Sequence, residues 1–256
     1  MFGNLFRNRR STGTDAEFSG APPQPETPIS VIGDIHGQIS CLEKMLAFLD
    51  RERPTTRRIF VGDYIDRGDH SADVLSCLRE LEQRRPDSIF LMGNHEEMML
   101  DFLDHPGKAG SRWLQFGGLQ TMASFGLSGL RQSTDKRTLR HMQQALRDAM
   151  PDGLEDWLRG LRRMWHEGNI AVVHAGADPT RPISAQPSRA LTWGHPEFGK
   201  RPRQDGIWVV RGHRVVTTPT IQAGVISVDT GAFANGKLTS ATIQDCRTEF
   251  FQVTNT

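Results

Sequence analysis

From Ile29 onward, short apolar runs alternate with segments of helical periodicity, and this alternation constrains the fold more than any other feature. The runs are four or five residues long and rich in β-branched or large apolar side chains, as buried strands are. Residues 39–50 and 72–83 carry apolar side chains at three- and four-residue spacing, which predicts core-facing helices. The predicted strands are Ile29–Ile32, Arg58–Val61, Ser88–Met92 and Ile170–Val173. This order of elements predicts an α/β protein built from βαβ units.

The predicted secondary structure changes twice after the third predicted strand. A helical region is expected from about Met98 to Trp165, and its apolar stripe consists of Leu154, Trp157, Leu158, Leu161 and Trp165. After Gly206 the predicted strands are Ile207–Val210, Val215–Thr218, Val225–Val228, Leu238–Ile243 and Glu249–Val253. Asn235-Gly236 predicts a hairpin turn between two of them. We therefore expect a βαβαβ core, a helical insertion and a β-rich C-terminal part.

The domain organisation is predicted to be one folded unit preceded by a tail. Residues 1–28 are rich in Arg, Ser, Gly, Pro and Thr and lack a sustained apolar period, which is typical of disorder. Residues 29–256 contain all of the predicted elements and are long enough to bury one substantial core. We predict a single domain over 29–256.

Composition excludes several classes of function. With 31 basic and 30 acidic residues, the chain has no overall field that would attract nucleic acid. The three cysteines lie far apart and form no CxxC pair, so they suggest neither a disulfide framework nor a thiolate zinc site. No run approaches the length of a membrane span, and no secretory signal is evident at the N-terminus. The expected location is the cytoplasm.

Polar motifs follow the predicted strands at the points where they end. The first three strands lead into Gly33-Asp34-Ile35-His36-Gly37, Gly62-Asp63-Tyr64-Ile65-Asp66-Arg67-Gly68 and Gly93-Asn94-His95-Glu96. Two later strands lead into His174-Ala175-Gly176 and Arg211-Gly212-His213. Because ligands of open α/β sheets bind beyond the carboxyl ends of strands, we expect these motifs to meet. Asp, Asn and His together supply the oxygen and nitrogen ligands that suit Mn, Fe or Zn.

Taken in this order, GDIHG, GDYIDRG, GNHE, a strand-end His and a later Gly-His resemble the calcineurin-like phosphoprotein phosphatases, and the resemblance covers about Ile29 to Phe251. It implies a β-sandwich of the metallophosphatase type, flanked by helices. It also implies two divalent metal ions, with manganese expected and iron or zinc as alternatives. The implied reaction is hydrolysis of a phosphomonoester by a hydroxide that bridges the two metals. The expected partner is a phosphorylated protein, as in the bacterial-type Ser/Thr phosphatases.

The resemblance also implies a role for each matching residue. Asp34 and His36 would hold the first metal, and Asp63 would bridge both. The second metal would be held by Asn94, His174 and His213.

Residues beside these ligands would act on the substrate. The resemblance implies that Arg67, together with Asn94, binds the phosphate, and that His95, oriented by Asp66, protonates the leaving oxygen. The family commonly has a second phosphate-binding arginine after a Leu-x-Trp segment. Here Leu191-Thr192-Trp193-Gly194-His195 carries His195 at that position. His195 is expected to bind phosphate in place of the arginine, with Arg189 or Arg201 as alternative donors; equally, His195 packs or faces solvent.

Two other functions stay open at this point. Bacterial diadenosine tetraphosphate hydrolases resemble this family closely, but they tend to have an altered DRG segment and GNHD, so Asp66, Arg67 and Glu96 argue against that activity. A phosphoprotein-binding scaffold with weak turnover is the third candidate. A nucleic-acid phosphodiesterase is disfavoured because no basic strip interleaved with aromatic residues is present.

Overall fold

The computed structural model of the protein describes residues 18–255. One five-stranded sheet has the order β10-β9-β1-β2-β3. Its strands are β1 (Ile29–Ile32), β2 (Arg57–Phe60), β3 (Ile89–Phe90), β9 (Lys237–Gln244) and β10 (Arg247–Thr254). β1 runs parallel to β2 and β2 parallel to β3, whereas β9 runs antiparallel to both β1 and β10. The C-terminal strands thus extend the sheet that the N-terminal strands begin.

A second five-stranded sheet has the order β4-β5-β6-β8-β7. Its strands are β4 (Met164–Glu167), β5 (Ile170–Val173), β6 (Trp208–Arg211), β7 (Thr220–Gln222) and β8 (Val225–Ser227). The central strands β5, β6 and β8 are parallel to one another, and antiparallel β4 and β7 form the edges. Because the central strands share one direction, their carboxyl ends lie on the same rim.

The two sheets pack face to face around a core of branched aliphatic side chains. Alternate residues of β1, Ile29 and Val31, lie in this core with Val172 of β5 and Val210 of β6. The intervening Ser30 is fully buried too, and its hydroxyl is hydrogen-bonded to Thr56 and Thr242 at 2.9 Å each. The expected α/β architecture, a β-sandwich flanked by helices, is confirmed.

Helices cover the outer face of the first sheet. The first two are α1 (Ile39–Glu52) and α2 (Ser71–Arg84), close to their predicted bounds. The helical insertion then comprises α3 (Asn94–Asp104), α4 (Pro106–Trp113), a π-helical turn (Leu114–Gly118), α5 (Leu119–Ser124), α6 (Lys136–Ala149) and α7 (Leu154–Arg159). Their apolar faces join one buried cluster that includes Leu42 of α1, Leu78 of α2 and Phe102 of α3. The three- and four-residue spacing in the sequence thus corresponds to real contact with the core.

The outer face of the second sheet is covered by a long connection between β5 and β6. It contains a 3-10 turn (Ile183–Ala185) and α8 (Ser188–Trp193), which bury Ile183 and Leu191 against Val173 and Val209. A short helix, α9 (Ala232–Asn235), precedes β9. Within residues 18–255, none of the helices combines the length and apolarity that crossing a membrane would need.

Three local predictions are wrong. Trp165 belongs to strand β4, not to a helix, because α7 ends at Arg159 and β4 pairs with β5 along the sheet edge. Residues 215–218 form no strand; the edge strand lies at Thr220–Gln222, and Val215 is 49% exposed. Asn235-Gly236 ends α9, with Gly236 in the left-handed region at φ 66°, while the hairpin between β9 and β10 turns at Asp245 and Cys246.

Residues 18–28 differ from the disorder expected for this part of the predicted tail. The Phe18 ring packs edge-on against Trp208 with centroids 4.8 Å apart. The indole N–H of Trp208 donates to the carbonyl of Ala21, and the Gln24 backbone N–H donates to the side chain of Asn169, both at 2.8 Å. Contacts with the second sheet therefore order this stretch, which has no periodicity of its own. The remainder of the predicted tail, 1–17, lies outside the described residues.

Candidate active site

The polar motifs meet on the rim where the parallel strands of both sheets end. Asp34 follows β1, Asp63 follows β2, and Asn94 begins α3 after β3. From the second sheet, His174 follows β5 and His213 follows β6. Because the sheets face each other, side chains from five separate segments enter one cleft. The predicted convergence of the motifs is observed.

Asp63 lies at the centre of this cleft. Its Oδ1 atom is 3.3 Å from Nε2 of His174, and its Oδ2 atom is 3.5 Å from Nε2 of His36. The same Oδ1 also accepts the backbone N–H of His95 at 3.1 Å. Asp63 is only 2% exposed. Each carboxylate oxygen thus faces a different imidazole, as expected of a carboxylate shared by two cation positions.

Asn94 links the histidines that come from the second sheet. Its Oδ1 atom lies 2.9 Å from Nε2 of His174 and 2.8 Å from Nδ1 of His213. The backbone N–H of His213 donates to both oxygens of Asp34, at 3.1 and 3.0 Å. A Cβ atom on Gly212 would lie 1.9 Å from Oδ1 of Asp34, so only glycine allows this approach.

Backbone carbonyls fix the tautomers of two histidines. Nδ1 of His36 is 2.8 Å from the carbonyl oxygen of Ile65, and Nδ1 of His174 is 3.0 Å from that of Val61. A carbonyl oxygen can only accept, so Nδ1 carries the proton in both rings. The Nε2 lone pairs are left to face Asp63, which is the usual arrangement of metal-binding imidazoles.

The histidines of the cleft are held in the neutral form that binds metals. Burial lowers the pKa of His36 to about 3, although Asp63 acts in the opposite direction. Burial and the neighbouring His174 lower the pKa of His213 to about 4. The pKa of His174 is likewise lowered, chiefly by burial. Metal ligation requires deprotonated nitrogen, so near neutral pH these rings are available as ligands.

Buried carboxylates give the cleft an excess of negative charge. Burial raises the pKa of Asp34, and repulsion from Asp229 and Asp63 raises it further. Burial also raises the pKa of Asp229, to about 6. Burial acts upward on Asp63 as well, but His174, His95 and His36 bring its pKa below the ordinary value. Divalent cations would compensate this clustered charge.

Two groups of side chains have the spacing of metal sites. Both contain Asp63; one adds His36 and His95, and the other adds His174 and His213. The donor atoms of each group lie within 4.8 Å of one another. With Asp34 and Asn94 beside them, these oxygen and nitrogen donors suit first-row divalent metals. The residues present therefore fit the metals that the sequence predicts.

His95 and Asp66 form a buried pair at the edge of the cleft. Nδ1 of His95 lies 2.6 Å from Oδ2 of Asp66, and both side chains are buried. Burial lowers the pKa of His95, but Asp63 and Asp66 raise it by more, so the net shift is upward. Nε2 of His95 points toward Oδ2 of Asp63, 3.9 Å away. Protonation of this ring is favoured where the other histidines stay neutral.

Arg67 is exposed beside this pair, unlike the residues around it. Its Nη2 atom lies 3.3 Å from Nε2 of His95, and its guanidinium carbon lies 4.3 Å above the Phe233 ring. Phe233 also packs edge-on against His36, with centroids 5.3 Å apart. The cation is therefore fixed over an aromatic ring at the mouth of the cleft, where an anion can reach it.

Backbone strain is concentrated in this cleft. Positive φ angles occur at His36, Asp63, Asp66, Arg67 and His213, with values from 47° to 69°. For residues with a Cβ this region is sparsely populated, and it persists only where surrounding contacts enforce it.

Glu96 forms some of the contacts that hold this strained backbone in place. Its carboxylate accepts the backbone N–H groups of Asp63, Tyr64 and Gly93 at 2.8 to 2.9 Å. The last residue of GNHE thus holds the loop that carries Asp63.

Among the described residues, His195 belongs to neither of the two metal-spaced groups. Its Nε2 atom is 3.8 Å from Oδ2 of Asp178, and its Nδ1 atom accepts the backbone N–H of Glu197 at 3.3 Å. A neighbouring carboxylate competes with phosphate for the same imidazole. Its predicted contact with phosphate stays a prediction.

Two residues of the helical insertion that carried no sequence signal reach the site. The indole N–H of Trp113 and the hydroxyl of Thr121 both donate to the Asp66 carboxylate. Neither residue lies in a glycine-containing motif, and nothing in the spacing of 106–124 distinguishes them from core residues. Phe233 and Asp229 were likewise without an assigned role.

Comparison with known proteins gives a match over most of the fold. The model of the calcineurin-like phosphoesterase family, Metallophos, matches residues 27–216. A segment of 72 residues is 44% identical to the serine/threonine-protein phosphatase PP2A-like PPG1 of Candida albicans, covering 28% of this chain and 17% of the relative. A segment of 75 residues is 41% identical to the serine/threonine-protein phosphatase ppe1 of Schizosaccharomyces pombe, covering 29% of this chain and 24% of the relative. The alignments thus span only a minor part of these relatives.

Solved structures share the fold at low sequence identity. A protein proposed to be a diadenosine tetraphosphatase matches with a TM-score of 0.61 and 20% identity, over 91% of this chain and 98% of the other. The cold-active protein-tyrosine phosphatase of a psychrophilic Shewanella species matches with a TM-score of 0.54 and 16% identity, over 97% and 87%. At such identities the likeness concerns the fold alone.

Proposed function

Because the chain belongs to the calcineurin-like phosphoesterase family, we propose that it is a metal-dependent hydrolase that removes phosphate from phosphoserine or phosphothreonine in a protein. The observation that carries this proposal is the buried His95–Asp66 pair, 2.6 Å apart, beside exposed Arg67. An alkoxide leaving group is strongly basic and needs a proton donor, which such a pair supplies.

The proposed metal positions use side chains of the cleft. Asp63 would be shared between two divalent ions, with manganese expected and iron or zinc able to replace it. The first ion would be held by Asp34, His36 and Asp63, and the second by Asp63, Asn94, His174 and His213. When bound, such ions supply Lewis acidity that lowers the pKa of water and neutralises phosphate charge.

The chain's own residues would bind and orient the phosphate. Arg67 offers a planar fork of donors, and its stacking on Phe233 keeps the guanidinium at the mouth of the cleft. The side chain of Asn94 would assist with phosphate binding.

His95 would hold the proton for the leaving oxygen at Nε2. Its Nδ1–H is directed to Asp66, and the net shift of its pKa is upward. Nε2 lies 3.3 Å from Nη2 of Arg67, which can only donate, so Nε2 would carry its proton once Arg67 has turned to the phosphate. A positioned imidazolium of this kind contributes about 10²- to 10⁴-fold to a rate. His95 also has the spacing of a metal ligand, so its role has to be separated from ligation by metal analysis.

The decisive experiment measures phosphate release by manganese-loaded protein from four substrates in parallel. These are a phosphothreonine peptide, a phosphotyrosine peptide, p-nitrophenyl phosphate and diadenosine tetraphosphate. Metal-free protein and the Asp63→Asn variant serve as controls. Metal-dependent release from the phosphothreonine peptide, lost in both controls, is the expected result.

Other outcomes would replace the proposal. Cleavage of the dinucleotide alone would assign the chain to nucleotide hydrolysis, and preference for phosphotyrosine would change the substrate class. No release from any substrate, with the phosphopeptide still bound, would favour a phosphoprotein-binding scaffold.

A further inference from the structure

Besides His95, two further side chains form hydrogen bonds with the Asp66 carboxylate. The indole N–H of Trp113 donates to Oδ2 at 3.0 Å, and the hydroxyl of Thr121 donates to Oδ1 at 2.6 Å. The Thr121 oxygen also accepts the backbone N–H of Asp66 at 2.9 Å. Asp66, Trp113 and Thr121 are all completely buried. Each carboxylate oxygen thus has its own donor from the insertion.

We propose that Trp113 and Thr121 are positioning residues that orient the Asp66 carboxylate so that His95 is aimed at the leaving oxygen of the substrate. A carboxylate attached through one bond can rotate, and a single partner at Oδ2 does not prevent that rotation. Donors on both oxygens fix the plane of the group. The plane of the carboxylate in turn sets the direction of the hydrogen bond to Nδ1 of His95.

The insertion is built to deliver these two donors. Trp113 is the last residue of α4, and its ring stacks on Phe102 of α3 with centroids 4.9 Å apart. Thr121 lies in α5, one helical turn after the bend at Gly117. Gly117 has φ 114°, and a Cβ atom there would lie 2.5 Å from the backbone nitrogen of Arg67. The bend is therefore pressed directly against the turn that carries Asp66.

Trp113 and Thr121 therefore do more than pack in the core, because each also donates a hydrogen bond to Asp66. Core packing alone would be served by an apolar ring and an apolar branched side chain of the same size. Here the polar atom of each residue is directed at the buried Asp66 carboxylate. Burying a carboxylate without hydrogen-bond donors would destabilise the fold. The inference rests on the proposed function insofar as His95 is the proton donor.

The test compares Trp113→Phe, Thr121→Val and Thr121→Ser in the manganese-loaded full chain. The first two remove a donor and keep the shape, whereas serine keeps the hydroxyl. Substrates are a phosphothreonine peptide, whose leaving group needs a proton, and p-nitrophenyl phosphate, whose leaving group needs little help. Trp157→Phe is the matched control, because the Trp157 indole N–H donates to Glu82 at 2.9 Å and not to Asp66.

We expect Trp113→Phe and Thr121→Val to lower kcat for the peptide by about 10- to 100-fold. KM should change little, and kcat for p-nitrophenyl phosphate should fall much less. Thr121→Ser should stay near the wild type, and Trp157→Phe should equal it. Equal loss on both substrates, no loss, or a serine variant as poor as the valine variant would overturn the proposal.

A second readout does not depend on activity. In the NMR spectrum of the wild type, the Nδ1–H proton of His95 should resonate far downfield because of its short hydrogen bond to Asp66. Both donor-removing variants should shift or broaden this signal, and Trp157→Phe should not. If the wild type hydrolyses no phosphoester, the proposed function fails while this signal still tests the orientation. If one variant does not fold, the other decides, and an unchanged signal would overturn the proposal.

Discussion

The carboxylate of Asp63 directs one oxygen at Nε2 of His174, at a distance of 3.3 Å. Its other oxygen faces His36 at 3.5 Å, so a single side chain lies between ligands of two proposed metal ions. Asp63 lies three residues after the end of β2, and its backbone is in the left-handed region at φ 54°. Much of the chemistry expected of the cleft therefore depends on this one residue.

Replacing Asp63 with Asn should remove activity and weaken both metal positions. Mutation of a hydrogen-bond partner of a metal ligand already lowers metal affinity or activity by about 10- to 100-fold. Mutation of a ligand shared by two metals should lower them further. Turnover of a phosphothreonine peptide and metal content by mass spectrometry are the measurements. Retention of two metals per chain by the variant would contradict the shared role.

Replacing His95 with Asn should lower kcat by about 10²- to 10⁴-fold and leave the metal content unchanged. The reason is that His95 is paired with Asp66 through Nδ1, as expected of a proton donor. Kinetics and metal analysis on the same preparation provide the check. A variant that loses metal would instead identify His95 as a ligand.

Replacing Glu96 with Gln should destabilise the fold by about 2 to 4 kcal/mol, because an amide cannot accept from every N–H group that the carboxylate serves. Those groups belong to Asp63, Tyr64 and Gly93. Urea unfolding of metal-free protein measures the change. Glu43→Gln, on the exposed face of α1, is the control and should behave as wild type. Equal stability of both variants would show that the loop does not need Glu96.

Replacing Gly117 with Ala should lower turnover by about tenfold or more, since small displacements of catalytic groups can cost up to about 10²-fold. The added methyl group would meet the backbone of Arg67 at 2.5 Å. Gly126→Ala is the matched control, because φ is 85° there but nothing lies within 4 Å. Both variants should lose some stability from backbone strain, and only the first should lose activity. Similar activity in the two would contradict the close approach.

Arg159 should stabilise the insertion in a manner that depends on pH. Its guanidinium donates to Asp104 and Glu155 at 2.6 Å. These hydrogen bonds lower the pKa of Asp104; burial acts upward on the pKa of Glu155, but hydrogen bonds from Arg147 and Arg159 lower it overall. In the unfolded chain the carboxyl pKa values are 3.8 for Asp104 and 4.5 for Glu155. Because the pKa values are lower in the folded protein, the two ionised carboxylates add stability at a pH above these unfolded values. That stability is lost as the pH falls through the pKa values of the folded protein.

Arg159→Gln should therefore reduce the free energy of unfolding by about 0.5 to 1 kcal/mol at neutral pH, the size of a solvent-screened pair. The difference from wild type should shrink as the medium is acidified below the unfolded pKa values. Urea unfolding as a function of pH measures it. Arg51→Gln is the control, since Arg51 is 71% exposed and pairs only with the adjacent Glu52 among described residues. A difference that persists in acid would show that packing, not ionisation, is responsible.

The sequence by itself determined most of the strands and the place of the cleft, but not edge strands β4 and β7. Ile29–Ile32 and Ile170–Val173 are strands with the predicted bounds, because short runs rich in β-branched side chains and followed by glycine-containing motifs favour a buried strand. Polar motifs with glycine at strand ends could be placed on one rim, since parallel strands end together. The local sequence pattern was enough to predict a strand where its side chains are buried, and a shared rim where neighbouring strands run parallel.

Only the tertiary structure decided features that depend on distant partners. Trp165 has helical spacing to Leu161 but is a strand residue: β4 pairs with neighbouring β5, and the Trp165 ring is buried between the sheets with residues of β1 and β6. Residues 18–28 are ordered by the second sheet, and Trp113 and Thr121 become partners of Asp66 only when the insertion folds back over it. No local period records such contacts, since they join residues between 47 and 187 positions apart whose proximity is created by packing.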